Sequence, residues 1–121
     1  MKPGATGLRR LLHAAIYSWR GLKATWKYEE AFRLESLLAA VGIPTSIWLA
    51  RNSVDMLLLI LPLLLLLLTE LLNSAVEAII DRMGEEHHEL SGRAKDMGSA
   101  AVLMAWLIAL SSWSVLLWDI L

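Results

Sequence analysis

The chain has 121 residues, enough for one domain, and 57% of them are hydrophobic with a positive mean hydropathy. That composition excludes an ordinary soluble domain. The net charge is −1 and cysteine is absent, so disulfides and thiolate metal sites are excluded.

The first 27 residues do not read as a signal peptide. Their apolar stretch is broken by His13, and Arg20, Lys23 and Lys27 stand where a cleavage site should be. Over 7–27, Leu8, Leu11, Leu12, Ala15, Ile16, Trp19, Leu22 and Trp26 recur at steps of three and four, while Arg10, His13, Tyr17, Arg20 and Lys27 fill much of the remainder. This spacing predicts an amphipathic helix lying in the membrane surface, held by tryptophan and a basic face.

Three spans follow at 31–50, 54–72 and 99–118, each near the roughly 20 residues a bilayer core requires. The uncharged part of the first, 36–50, is short, so Arg33 and Glu35 must sit at the interface or face protein. Pro44 and Pro62 fall inside spans. Neighbours can satisfy the carbonyl each proline frees, so kinks are expected rather than breaks. The stretch 81–98 reads as a charged loop and the start of the last helix. Gly98, Ala101, Ala105 and Ala109 give that helix small residues at close-packing spacing. The fold class is therefore all-α and membrane-embedded: three transmembrane helices plus an N-terminal surface helix. Three helices make a thin bundle in which a buried carboxylate would be poorly shielded, and oligomerisation would remedy that.

Lys and Arg set the orientation. Seven of the eleven (Lys2, Arg9, Arg10, Arg20, Lys23, Lys27 and Arg33) lie in the first 33 residues. Arg51 follows the first span, Arg82, Arg93 and Lys95 follow the second, and the tail has none. The N-terminus and 81–98 are expected on the cytoplasmic side, with the 51–53 turn and the C-terminus opposite.

Glu70 is the residue this pattern makes conspicuous. A carboxylate at the rim of a span is expensive and marks a functional site by default. At about 100° per residue, Glu77 and Asp81 return to within roughly 20° of Glu70, and Asn73 lies about 60° to one side. These four form a polar stripe where hydrocarbon gives way to water. A lipid reactant and a water-soluble one could meet there. Acids in register with an asparagine suit Mg²⁺, which takes carboxylate oxygens and keeps waters or phosphates as other ligands. Glu29, at the end of the surface helix, is a possible further carboxylate. Arg93 and Lys95 could hold phosphate oxygens. One carboxylate would remain as a general base toward a hydroxyl. Metal, base and cation are the parts a phosphoryl transfer needs. No P-loop or glycine-rich nucleotide motif is present. The run Glu85–Glu89 lacks a histidine at 92 to complete a zinc-binding H-E-x-x-H. It reads as a solvated loop or a nucleotide contact.

The run Glu70-Leu-Leu-Asn73-Ser-Ala-Val-Glu77-Ala-Ile-Ile-Asp81-Arg82, then Glu89-Leu-Ser-Gly-Arg-Ala-Lys95-Asp96-Met-Gly-Ser99, resembles the small integral-membrane bacterial diacylglycerol kinases. The likeness extends to residues 14–24 and to Glu29 with Ala31-Phe32-Arg33, and covers nearly the whole chain. It implies a single membrane kinase domain over 1–121, a homotrimer, and Mg²⁺-ATP-dependent conversion of diacylglycerol to phosphatidic acid at the inner membrane. By resemblance, Glu70 is the general base, and Glu29 and Glu77 are the Mg²⁺ carboxylates. Tyr17, Glu29, Asn73, Glu77, Glu86, His87, His88, Lys95 and Asp96 match ATP-side positions. Arg10, Trp19, Glu70, Ser99, Trp113 and Trp118 match lipid-side positions. Undecaprenol kinases share the stripe and stand as the alternative. A non-catalytic membrane protein or transporter subunit with a proton relay through Glu70 is the second. It would need a polar path across the bilayer, which the first and third spans do not supply.

Overall fold

The computed structural model describes residues 6–84 and 88–121. The described residues form four helices and no strand: α1 Gly7–Tyr28, α2 Glu30–Leu49, α3 Ser53–Arg82 and α4 Glu89–Ile120. The last three are long and apolar enough to cross a membrane. Two helices outrun the expected spans. α3 has 30 residues and α4 has 32, about 45 and 48 Å at 1.5 Å per residue, against about 30 Å of hydrocarbon. Within 81–98, expected as a loop and the start of the last helix, helix already resumes at Glu89. Hydropathy marks where lipid ends, whereas a helix ends where its caps fall. Here the His88 Nδ1 accepts the Leu90 backbone N–H at 3.1 Å and starts α4.

α3 is the central post, packed on both α2 and α4. Leu59, Leu63 and Leu66 are its buried apolar residues, facing Phe32 and Ala39 of α2 and Ala105, Ala109 and Leu116 of α4. Ala105 and Ala109 let α4 approach closely, while Ala101 stays exposed. Most other leucines point outward, as lipid or neighbouring chains require.

Pro62 lies inside α3 without breaking it. Its ring nitrogen cannot donate to the Leu58 carbonyl four residues back. α4 supplies the replacement: the Ser112 hydroxyl donates to Leu58 O at 2.5 Å, and the Trp113 indole N–H to Leu59 O at 3.0 Å. Pro44 also lies within a continuous helix, where the Thr45 and Ser46 hydroxyls donate to Val41 O and Gly42 O.

The far end is tied by charge. Arg51 pairs with Asp55 at 2.8 Å and with Asp119 at 2.9 Å, joining the start of α3 to the end of α4. Those hydrogen bonds, Asp55 first, push the Arg51 pKa still further up. Asn52 caps α3 by accepting the Asp55 N–H at 2.9 Å.

α1 buries none of its residues against the rest of the chain. Its apolar face, with Leu8, Trp19 and Trp26, lies open as a membrane-surface helix requires. It is held at its end. The Arg33 guanidinium donates to Trp26 O at 2.7 Å and Lys27 O at 3.2 Å, meeting the orphan carbonyls and negative dipole of α1. Glu29 is the single extended residue between α1 and α2.

Two outcomes test these contacts. Ser112→Ala should lower resistance to unfolding in micelles by about 1 kcal/mol, the scale of such bonds in membranes. The loss should shrink in a Pro62→Ala background, where Leu58 O regains a backbone donor. Equal losses in both backgrounds would remove the proline-repair role. Arg33→Gln should broaden the distance distribution between spin labels on α1 and α2. An unchanged distribution would mean the guanidinium does not set the hinge.

Candidate active site at the polar end of the central helix

The site begins with the buried face of α2, which carries Phe32, Glu35, Ala39, Gly42 and Ser46 at steps of three and four. That face puts a second acid inside the bundle. Glu35 is 5% exposed and Glu70, on α3, is 6% exposed. Each lies on the buried face of its helix, and α2 packs on α3. The single chain already encloses Glu70, so shielding is no reason to require further subunits.

Asn73 joins two of the acids. Its Nδ2 donates to Glu77 Oε1 at 3.2 Å and, at the long limit, to Glu70 Oε2 at 3.5 Å. Its Oδ1 is buried without a hydrogen-bond partner, as is Glu35 Oε2. Among the described residues, none of Glu29, Glu35, Glu70 and Glu77 is in an ion pair. Acids gathered beside one amide donor, with no cation among them, leave negative charge uncompensated. Such charge is costly away from water.

Lys95 lies nearly two turns into α4 from its water-side end. Its Nζ donates to Asp81 Oδ1 at 2.8 Å. Asp81, not the exposed Asp96, fixes this lysine. Sequence spacing put Asp81 in the acid stripe and left its cross-helix partner unseen. The ion pair is exposed and matters for geometry more than for stability.

The structure brings together Glu70, Asn73 and Glu77 on α3, with Lys95 of α4 paired to Asp81 one turn further out, while Glu29 stands at the junction of α1 and α2. Tyr17, Arg10 and Trp19 lie on exposed α1 and make no side-chain hydrogen bond to the stripe. Tyr17 instead packs with Arg20, whose guanidinium lies 5.7 Å from the ring centroid. His88 caps α4, and Ser99 is exposed near the site end of that helix. Glu86 and His87 lie outside the described residues. Trp113 and Trp118 are not brought to the stripe. Trp118 lies 19 residues along α4 from Ser99, about 28 Å, and the Trp113 indole N–H is committed to Leu59 O.

Sequence reasoning passed over two contributors. Glu35 was legible in principle, because it falls on the three-four pattern that marks the core face of α2. Gly98 was noted for helix packing only. A Cβ built there would overlap Asn73 Oδ1, a contact across two helices that no local pattern reveals.

Comparison with known proteins gives one consistent result. The family model for prokaryotic diacylglycerol kinase matches residues 16–117. The chain is 48% identical over 119 residues to diacylglycerol kinase of Escherichia coli K12, covering 98% of each chain. It is 47% identical over 112 residues to the diacylglycerol kinase of Haemophilus influenzae, covering 93% of this chain and 95% of the relative. For the Pseudomonas aeruginosa diacylglycerol kinase the identity is 45% over 114 residues, with 94% and 93% covered. With a carboxylate stripe that runs from buried Glu70 to exposed Asp81 at the end of a membrane helix and this similarity along nearly its full length, the chain belongs to the prokaryotic diacylglycerol kinase family of lipid kinases.

Proposed function

We propose that the chain transfers the terminal phosphoryl group of ATP to the hydroxyl of diacylglycerol, forming phosphatidic acid and ADP at the cytoplasmic face of the bacterial inner membrane. The observation that carries this reading is Glu70: buried at the polar end of an apolar helix, engaged by Asn73 and unpaired by any cation among the described residues. The lipid hydroxyl arrives from the hydrocarbon side and gives its proton to the Glu70 carboxylate. The hydroxyl oxygen forms the new bond to phosphorus as the bond to the bridging oxygen breaks, and ADP keeps that electron pair. Phosphoryl transfer asks the protein mainly for placement and charge stabilisation.

The residues fit Mg²⁺. Glu29 and Glu77 offer carboxylate oxygens in a region short of positive charge. Among the described residues, no group of three His, Asp or Glu could cage a metal alone. Mg²⁺ is held by one or two carboxylates together with substrate phosphates, so this donor set is sufficient. Bound there, the ion would neutralise charge on the ATP phosphates. Lys95, steadied by Asp81, supplies a point cation to the transferring phosphate. Tyr17, Glu86, His87, His88 and Asp96 belong to the nucleotide side of this proposal, and Arg10, Trp19 and Ser99 to the lipid entrance. Trp113 would contact acyl chains deeper in the bilayer, whereas Trp118, next to Asp119 at the far end, lies near the opposite interface and would meet lipid there.

Orientation rests on charge: the first 33 residues, the end of α3 and the start of α4 hold ten of the eleven Lys and Arg, which supports a cytoplasmic position for that end. A homotrimer is part of the same proposal. The broad apolar faces of α2, α3 and α4 allow it.

Purified protein in micelles with labelled ATP and Mg²⁺ should label diacylglycerol. Preferential labelling of undecaprenol would change the substrate, and labelling of neither would remove the kinase reading. Glu70→Gln should cut turnover by about 10²-fold or more, the scale of acid–base catalysis, with nucleotide binding kept. Near-normal turnover would exclude the base role. Glu77→Gln should move the Mg²⁺ dependence of the rate to higher concentration, and an unchanged dependence would exclude the ligand role.

A further inference from the structure

We propose that Gly98 is a positioning residue: its missing side chain seats the Asn73 carboxamide so that Nδ2 faces Glu70 and Glu77 together. The proposal rests on the kinase reading of the Glu70 site.

Glycine at 98 is not demanded by the backbone. Its φ is not positive, and it lies within the continuous helix α4. There alanine would be the more stabilising residue. Helix preference thus opposes glycine, and the reason lies across the interface. A Cβ at 98 would overlap Asn73 Oδ1 and stand 3.2 Å from Asn73 Cγ. The carboxamide oxygen fills the place that a side chain at 98 would take.

A second observation says this is seating rather than bonding. Asn73 Oδ1 is buried with no hydrogen-bond partner, so no donor holds that end of the group. The other end is held by the two carboxylates, at 3.2 Å and 3.5 Å. Turning the amide over would aim its oxygen at two acids, which repel it. The stable pose is therefore fixed by two constraints: carboxylates on one side and the bare helix surface at Gly98 on the other. Any side chain at 98 pushes the amide toward or away from the acids and loosens both contacts. Close approach of α3 and α4 elsewhere is provided by Ala105 and Ala109. Gly98 thus serves the Asn73 carboxamide packed against it.

The test is a double-mutant cycle in the full chain, in micelles, with diacylglycerol and Mg²⁺-ATP. Gly98→Ala should lower kcat by at least tenfold. Asn73→Ala removes the group that the added methyl at 98 would strike. The double variant Gly98→Ala/Asn73→Ala should therefore match Asn73→Ala alone within about twofold, the signature of coupled sites. Losses that multiply, or a Gly98→Ala enzyme within twofold of the original, would overturn the proposal. Unfolding midpoints supply an independent readout if Gly98→Ala folds poorly or the kinase assay itself fails. Gly98→Ala should be destabilised in the original background and neutral or stabilising beside Asn73→Ala. Equal destabilisation in both backgrounds would show that Gly98 merely spaces the helices, and would overturn the seating role without touching the assignment of the reaction.

Discussion

Hydrocarbon offers no water to satisfy a polar group, so every donor and acceptor at membrane depth must find its partner inside the protein. The arrangement of α3 and α4 follows from that constraint. Pro62 removes one donor from α3, and Ser112 and Trp113 of α4 serve the carbonyls around it. The same constraint explains how sharply the acids are segregated. They lie at the two ends of α3, where water or a counter-charge is within reach. At one end Asp55 has Arg51. At the other, Glu70 and Glu77 have an asparagine and each other. At the first end the cation is spent on a structural tie. At the second, Lys95 is held by Asp81 and leaves Glu70 and Glu77 without an ion pair, and that end is the site.

Helix length turns this segregation into chemistry. α3 is about 15 Å longer than the hydrocarbon it crosses. Its polar end carries Glu70 nearest the lipid and Asp81 furthest out. A hydroxyl tethered to acyl chains and a phosphate chain in water can approach the same side of one rigid element. α2 adds Glu35 to the buried end, and the hinge adds Glu29 at the outer side. Apart from Glu29, these acids thus stand on continuous helix rather than on loops, which favours fixed geometry.

Much of this was legible in the sequence because membrane helices announce themselves by hydropathy and the stripe by period. The leucine run in α3 and the Glu70–Glu77 spacing required no structure. The helix ends were not legible, since polar residues continue a helix past the lipid as readily as they end it. That is why 81–98 read as a loop and the start of a helix, with no residue marking where one gives way to the other. The cross-helix contacts were also hidden. Nothing in the spacing of Trp113 says that its N–H serves Leu59. Asp81 lined up with the acids by angle, yet its partner is a lysine fourteen residues on. Glu35 shortened the uncharged part of its span, and burial on the α2 core face resolves that tension.

The α3–α4 pair is fastened at three heights: Lys95 to Asp81, Ser112 and Trp113 to Leu58 and Leu59, and Arg51 to Asp119. Fasteners spread along a pair of rods suppress sliding and twisting together, so this half of the molecule is a stator. α1 has no such attachment along its length. It is gripped at one end by Arg33, as an oar is held in its lock. Beyond that grip about six turns of helix carry an exposed apolar face, so the angle of α1 answers to whatever surface covers that face rather than to the bundle.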